Sequence, residues 1–175
     1  GYYAWRLWRE ILSGTHALAR AYLFTGDPVY AHKCGILLDR IADVYPAMDW
    51  SVYGQQGWFH SGSQDGGKIE GSIWECSTVS TLAQAYDMVR SGLWNRPELY
   101  AFLAAKGRQF RLPTPKGTYA QLAANIETNL LAEFVKAIKT GRKIYGNEGG
   151  PQANVVECAV ALNREPQTSE WIDWI

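Results

Sequence analysis

Three stop-and-restart signals cut a chain that is otherwise periodic for helix, and this punctuation limits the fold more than any other feature. At Thr25-Gly26-Asp27-Pro28, Gly26 ends one helix, Asp27 can cap the next, and Pro28 takes its first position. Ser91-Gly92 followed by Asn95-Arg96-Pro97-Glu98 makes a second break, and residues 141–151 make a third. Between the breaks, apolar residues recur at helical spacing. Trp8, Ile11, Leu18 and Tyr22 mark residues 3–24, and Cys34, Leu38, Ile41 and Tyr45 mark a helix running to about Val44. Cys76, Val79, Ala83, Tyr86 and Val89 mark 72–90, and Leu122, Ile126, Leu130, Phe134 and Ile138 mark 119–139. A further helix runs from Asn95 to about Phe110. No segment sustains an alternation of period two. The expectation is an all-α chain of about six helices in antiparallel hairpins, forming part of an (α/α) toroid or a solenoid. The absence of a strict repeat favours the toroid.

A chain of 175 residues fits one domain or one slice of a larger one. It opens directly in an aromatic-rich helix and stops abruptly at Trp174-Ile175, so a fragment is expected. Lys plus Arg balance Asp plus Glu at 17 each, which gives no pull toward nucleic acid or an anionic membrane. Cys34, Cys76 and Cys158 are odd in number and lie in apolar helical patterns. They read as small buried hydrophobes rather than a disulfide framework or zinc site, and no metal or cofactor is expected. The outlying feature is aromatic content, eight Trp and ten Tyr, several of them in glycine-rich sequence. A flat apolar face with a hydrogen-bonding edge suits a sugar ring as well as a protein core.

Two stretches stand apart from the helices. Residues 46–71 hold Trp50, Tyr53, Trp58, Phe59 and His60 among glycines, serines and glutamines, with little period of either kind. A loop of that length in a compact domain commonly serves binding. His60 is a candidate base or ligand there, or a surface hydrogen-bonder. Trp74 and Glu75 follow in the first turn of the next helix, where a carboxylate is favoured by the helix dipole.

The second stretch is 144–163. Glycines at 146, 149 and 150 make a loop, Pro151 starts a helix, and Val156, Ala159 and Val160 anchor it in a core. Tyr145, Asn147, Glu148 and Gln152 are thereby gathered at a helix N-terminus, whose free N–H groups suit an anionic ligand. The competing reading is a turn in which Asn147 or Glu148 merely caps the helix.

Taken together, three segments resemble the heparinase II/III-like and alginate-lyase-like polysaccharide lyases. Ala17-Leu18-Ala19-Arg20-Ala21-Tyr22, followed by Thr25-Gly26-Asp27-Pro28-Val29-Tyr30-Ala31, is similar to their first hairpin. Ile73-Trp74-Glu75 through Leu82-Ala83-Gln84-Ala85-Tyr86-Asp87 is similar to their central toroid helix. Ile126-Glu127-Thr128-Asn129-Leu130-Leu131, followed by Ile144-Tyr145-Gly146-Asn147, resembles the pair before their active site. The resemblance implies a toroid followed by a β-sandwich, a secreted or periplasmic location, and an acidic polysaccharide as partner. It gives Asn147 the role of hydrogen-bonding a uronate carboxylate. A His commonly follows that Asn in the family; here Glu148 follows, which departs from a His-assisted mechanism. The family's Tyr acid/base lies tens of residues further on, beyond Ile175.

The activity so implied is β-elimination, with Asn147, Glu148 and His60 as catalytic candidates and Trp58, Trp74, Glu75, Tyr145 and Gln152 as substrate-binding ones. Removing the weakly acidic proton alpha to a uronate carboxylate calls for neutral or positive donors where charge develops, and Asn147 at a helix N-terminus is such a donor. An ionised Glu148 aimed at the uronate would repel it. Two other classes fit the same residues. A toroid glycoside hydrolase would set Glu75 and Glu148 on opposite sides of a glycosidic bond. A non-catalytic module would bind glycan through Trp50, Trp58 and Trp74.

Overall fold

The computed structural model describes residues 2–54, 66–141, 143–147 and 149–175. Among these the chain is all-helical, with no strand. The first hairpin is α1 (Tyr2–Thr25) and α2 (Pro28–Val44), turned by the expected signal: the Asp27 carboxylate accepts the Val29 N–H at 2.9 Å and Pro28 opens the helix. A short 3₁₀ turn at Tyr45–Ala47 and a single-turn helix α3 (Ser51–Gly54) follow, regular structure that the composition of 46–71 does not advertise. Helix α4 (Ser72–Val89) ends in a 3₁₀ turn at Arg90–Leu93, and α5 is Pro97–Gln109. One long helix is then divided into α6 (Tyr119–Ile126), a π-helical section (Glu127–Ala132) and α7 (Glu133–Thr140). The chain closes with α8 (Gly150–Leu162) and α9 (Gln167–Ile172). No helix among the described residues is long and apolar enough to cross a membrane.

Contacts fix the directions. Arg9 of α1 meets Glu70 just before α4, while Tyr22, farther along α1, lies against Gly92 just after it, so α1 and α4 run parallel. Gly92 is small by necessity there, since an added Cβ would sit 2.5 Å from the Tyr22 ring and 2.7 Å from Ala31. Helices α4 and α8 are parallel too. Gly146 lies by Cys76, Glu157 takes Ser80 and Gln84 at 2.9 Å each, and Arg90 reaches the Ala161 and Leu162 carbonyls at 3.2 and 3.1 Å. Helix α2 and the α6–α7 helix run the other way: Asn125 bonds Asp39, Tyr45 packs edge-on to Phe134, and Tyr86 of α4 meets Glu127. The molecule is thus two layers, a parallel row α1–α4–α8 backed by the oppositely directed α2 and α6–α7.

The core between the layers holds Leu38, Ile41, Tyr45, Leu82, Tyr86, Leu122, Ile126, Leu130 and Phe134, all nearly or wholly buried. All but Leu82 are positions that the periodicity places inward. Cys34 and Cys158 are buried free thiols and Cys76 is half-buried. Removing a thiolate from water is unfavourable, so burial pushes Cys34 up to about 12 and raises the other two. Helix α8 departs from expectation on one side. Ala159 is buried, but Val156 and Val160 are 40% and 57% exposed; the inward face is Asn154, Val155, Cys158, Ala161 and Leu162.

Candidate functional site

Because α1, α4 and α8 are parallel, the starts of α4 and α8 share one end of the molecule. Residues 143–147 approach the start of α8 there, and a Cβ added at Gly146 would lie 3.4 Å from the Cys76 sulfur in the first turns of α4. Two helix N-termini, each carrying roughly half a unit of positive charge, therefore point toward the same end.

The entry into α8 settles how Asn147 is used locally. Its carbonyl accepts the Gly150 N–H at 3.1 Å, which forms a turn. Gly149 then takes the N-cap position at φ 87°, a left-handed conformation that suits glycine, and no side chain among the described residues caps the helix. Asn147 is exposed and has no positive φ, so neither a side-chain cap nor a left-handed turn residue describes it. Its amide remains available to solvent at the mouth of α8. Tyr145 stands beside it, 43% exposed, and Trp74 is 49% exposed at the start of α4. Gln152 is partly buried in the first turn of α8, with its carbonyl oxygen out of solvent and without a hydrogen-bond partner. The structure so collects Trp74, Tyr145, Asn147 and Gln152 at one end. Trp58, His60 and Glu148 lie outside the described residues.

Glu75 is also at this end, but beneath the surface. It is fully buried: one oxygen accepts the successive N–H groups of Lys68, Ile69 and Glu70 at 3.2, 3.0 and 2.7 Å, and the other accepts the Tyr45 hydroxyl at 2.8 Å. Its place is the floor under the site rather than a wall facing a ligand. Burial lifts its carboxyl to about 7 even though the backbone donors and Tyr45 favour the charged form. The same burial raises Tyr45 well above the usual phenol range, with the Glu75 carboxylate adding to it.

The strap that Glu75 holds, residues 66–71, is buried throughout. Gly67 sits at φ 94°, where an added Cβ would strike the Glu70 carbonyl; its N–H bonds the Lys143 carbonyl at 2.6 Å. Lys68 reaches the Tyr45 and Pro46 carbonyls at 3.2 and 3.0 Å and pairs with Glu133 at 3.0 Å. Glu70 takes Arg9 from α1 at 3.1 Å and Thr78 from α4 at 3.2 Å. Every charge in the strap is thereby paired, as burial demands. None of Arg9, Lys68, Glu70 or Glu133 is singled out by periodicity. The available signal is local: a Lys and a Glu flanked by glycines in Gly66-Gly67-Lys68-Ile69-Glu70-Gly71.

Among the described residues no group of three or more His, Cys, Asp or Glu side chains is placed to hold a metal ion. Among the described residues, surface cavities of about 380, 440 and 390 Å³ have walls from α2, α4, α5 and α6 and their connections, and residues 143–147 line none of these three. No family model matches the chain, and no curated protein or solved structure matches it.

Proposed function

We propose that this chain is the toroid segment of a polysaccharide lyase that cleaves a uronic-acid-containing polymer by β-elimination. The observation that carries the reading is the Asn147 amide, unused as a cap and exposed at the mouth of α8, with the N-terminus of α4 at the same end. In the proposed step the proton alpha to the uronate carboxylate is lost to a base. The electron pair moves onto the carboxylate as an aci-carboxylate, then returns to form the C4–C5 double bond as the 4-O-linked sugar leaves. Asn147 and the two helix termini would stabilise the intermediate charge. Trp74, its indole half out of water, supplies a stacking face for a neighbouring sugar. The two-layer packing, with one parallel row, is compatible with a toroid segment. The hydrolase reading draws no support from Glu75, whose carboxylate is sealed and already bound by four donors.

The test uses Asn147→Asp, which keeps size but replaces a donor with a negative charge. In the protein carrying this chain, formation of unsaturated uronate should fall by about 10²–10³ or more, the loss typical of one such donor. Thermal stability should hardly change, because Asn147 makes no capping bond. Elimination within a few-fold of wild type, or tight binding of neutral and acidic oligosaccharides alike, would remove Asn147 from the reading.

A further inference from the structure

The connection from α5 to α6 folds over α2 and walls a cavity of about 380 Å³. Arg108 and Arg111 line it, with Thr114 and Gln121 as uncharged polar groups and no Asp or Glu. Among the described residues neither guanidinium enters an ion pair. The Gln121 carbonyl oxygen is already taken by the Gly117 N–H at 2.8 Å, so what this side chain has left to offer is a donor. Lys116 contributes its stem to the wall, but its ammonium turns inward to Asp39 and Asp43 at 2.7 and 2.6 Å. Arg40 lies 3.8 Å from Asp43, so that inner cluster balances two acids with two bases. The charge felt in the cavity is that of Arg108 and Arg111.

Arg111 is also held at φ 53°, a left-handed backbone that glycine adopts at no cost and arginine does not. This is the C-terminal cap of α5, in which the Leu112 N–H bonds the Gly107 carbonyl at 2.9 Å and the Arg111 N–H bonds the Arg108 carbonyl at 3.2 Å, and it sets the course of the chain along the cavity wall.

We propose that this cavity binds a small organic oxyanion, a carboxylate, sulfate or phosphate carried on a body the size of a sugar. Two guanidiniums match the paired oxygens of such groups, and hydroxyl and amide donors complete the shell. The volume exceeds a bare oxyanion and falls in the roughly 300–1,000 Å³ range of small-molecule pockets. The site stands independently of the role given to Asn147.

Calorimetric titration of the 175-residue chain with glucuronate, glucose 6-sulfate, glucose 6-phosphate and uncharged glucose tests it. At least one charged sugar should saturate at one per chain while glucose does not, and the one that binds identifies the oxyanion. Arg108→Gln and Arg111→Gln should each weaken that binding by about tenfold or more. Arg111→Gly should weaken it equally while raising the thermal midpoint, because glycine relaxes the backbone. Asn147→Asp should leave it unchanged, so that failure here and failure of the lyase reading are told apart. The proposal is overturned if none of the three charged sugars saturates, or if the two glutamine variants bind as wild type does. A lowered midpoint for Arg111→Gly would also overturn it, since Arg111 would then be serving the loop itself.

Discussion

Glu75 shows what a single residue does when its carboxylate is folded inward. The four donors around it favour the charged form, yet complete burial outweighs them and lifts the group to about 7. The groups facing it are Glu70, which raises it further, the Tyr45 hydroxyl, and the strap's backbone N–H groups; Lys68 is occupied by Glu133. A folded value above the ordinary 4.5 means that the folded state holds the proton more tightly than the unfolded chain. The stability this contributes is fully present below about 4.5 and is lost as pH rises through about 7. Glu75→Gln, fixed in the neutral form, should therefore lose less stability than wild type between those limits, when thermal midpoints are followed against pH. Parallel curves for the two proteins would mean that Glu75 does not titrate in this window. The sequence placed this residue correctly in the first turn of α4, but not its depth, because a helix dipole and a surface carboxylate explain a first-turn Glu equally well. Val156 and Val160 were misread for a related reason. Helix α8 is apolar on several sides, and periodicity alone cannot choose which side meets α4.

At the scale of an element, the helix from α6 to α7 carries more information in its spacing than its boundaries reveal. Leu122, Ile126, Leu130, Phe134 and Ile138 are all buried at a strict interval of four. In an α-helix of about 3.6 residues per turn, each such step drifts by roughly 40°, so five positions could not share a narrow face. The π-helical section at Glu127–Ala132 takes up an extra residue and offsets part of that drift. The sequence thus held the signal for the π section, though a search for helical period alone passes over it. The section also sets Glu127 inside the core, where one oxygen accepts the Tyr86 hydroxyl at 2.8 Å and the other pairs with Arg164 at 2.6 Å. Tyr86→Phe removes one donor from a buried carboxylate and keeps the ring. A loss of about 1–3 kcal/mol is expected, read as a lower urea midpoint with unchanged slope. A loss indistinguishable from zero would mean that Arg164 alone satisfies Glu127.

Across the whole molecule, stability should follow the layering. Helix α4 touches α1 and α8 in its own row and α2 and the π section in the other, and Val79, Leu82, Ala83, Ala85, Tyr86 and Val89 are all fully buried. Helix α5 packs chiefly on α2, with Leu99, Tyr100 and Leu103 as its buried apolar side chains. Hairpin turns and helix faces made the all-helical chain and its hairpins legible in the sequence, since each is written in local residues. Periodicity does not say which helix is central, and only the resemblance of residues 73–87 to a central toroid helix points to α4, because centrality depends on long-range contacts such as Arg90 with the Ala161 carbonyl and Gly146 with Cys76. The consequence is measurable by native-state amide hydrogen exchange. Exposing α4 requires parting both layers, so amides between Val79 and Val89 should exchange only through global opening. Those of α5 need only lose their seat on α2 and should exchange at a lower opening free energy, with a weaker response to denaturant. If α5 proves as protected as α4, the two layers open as one cooperative unit and α5 belongs to the core rather than to its edge.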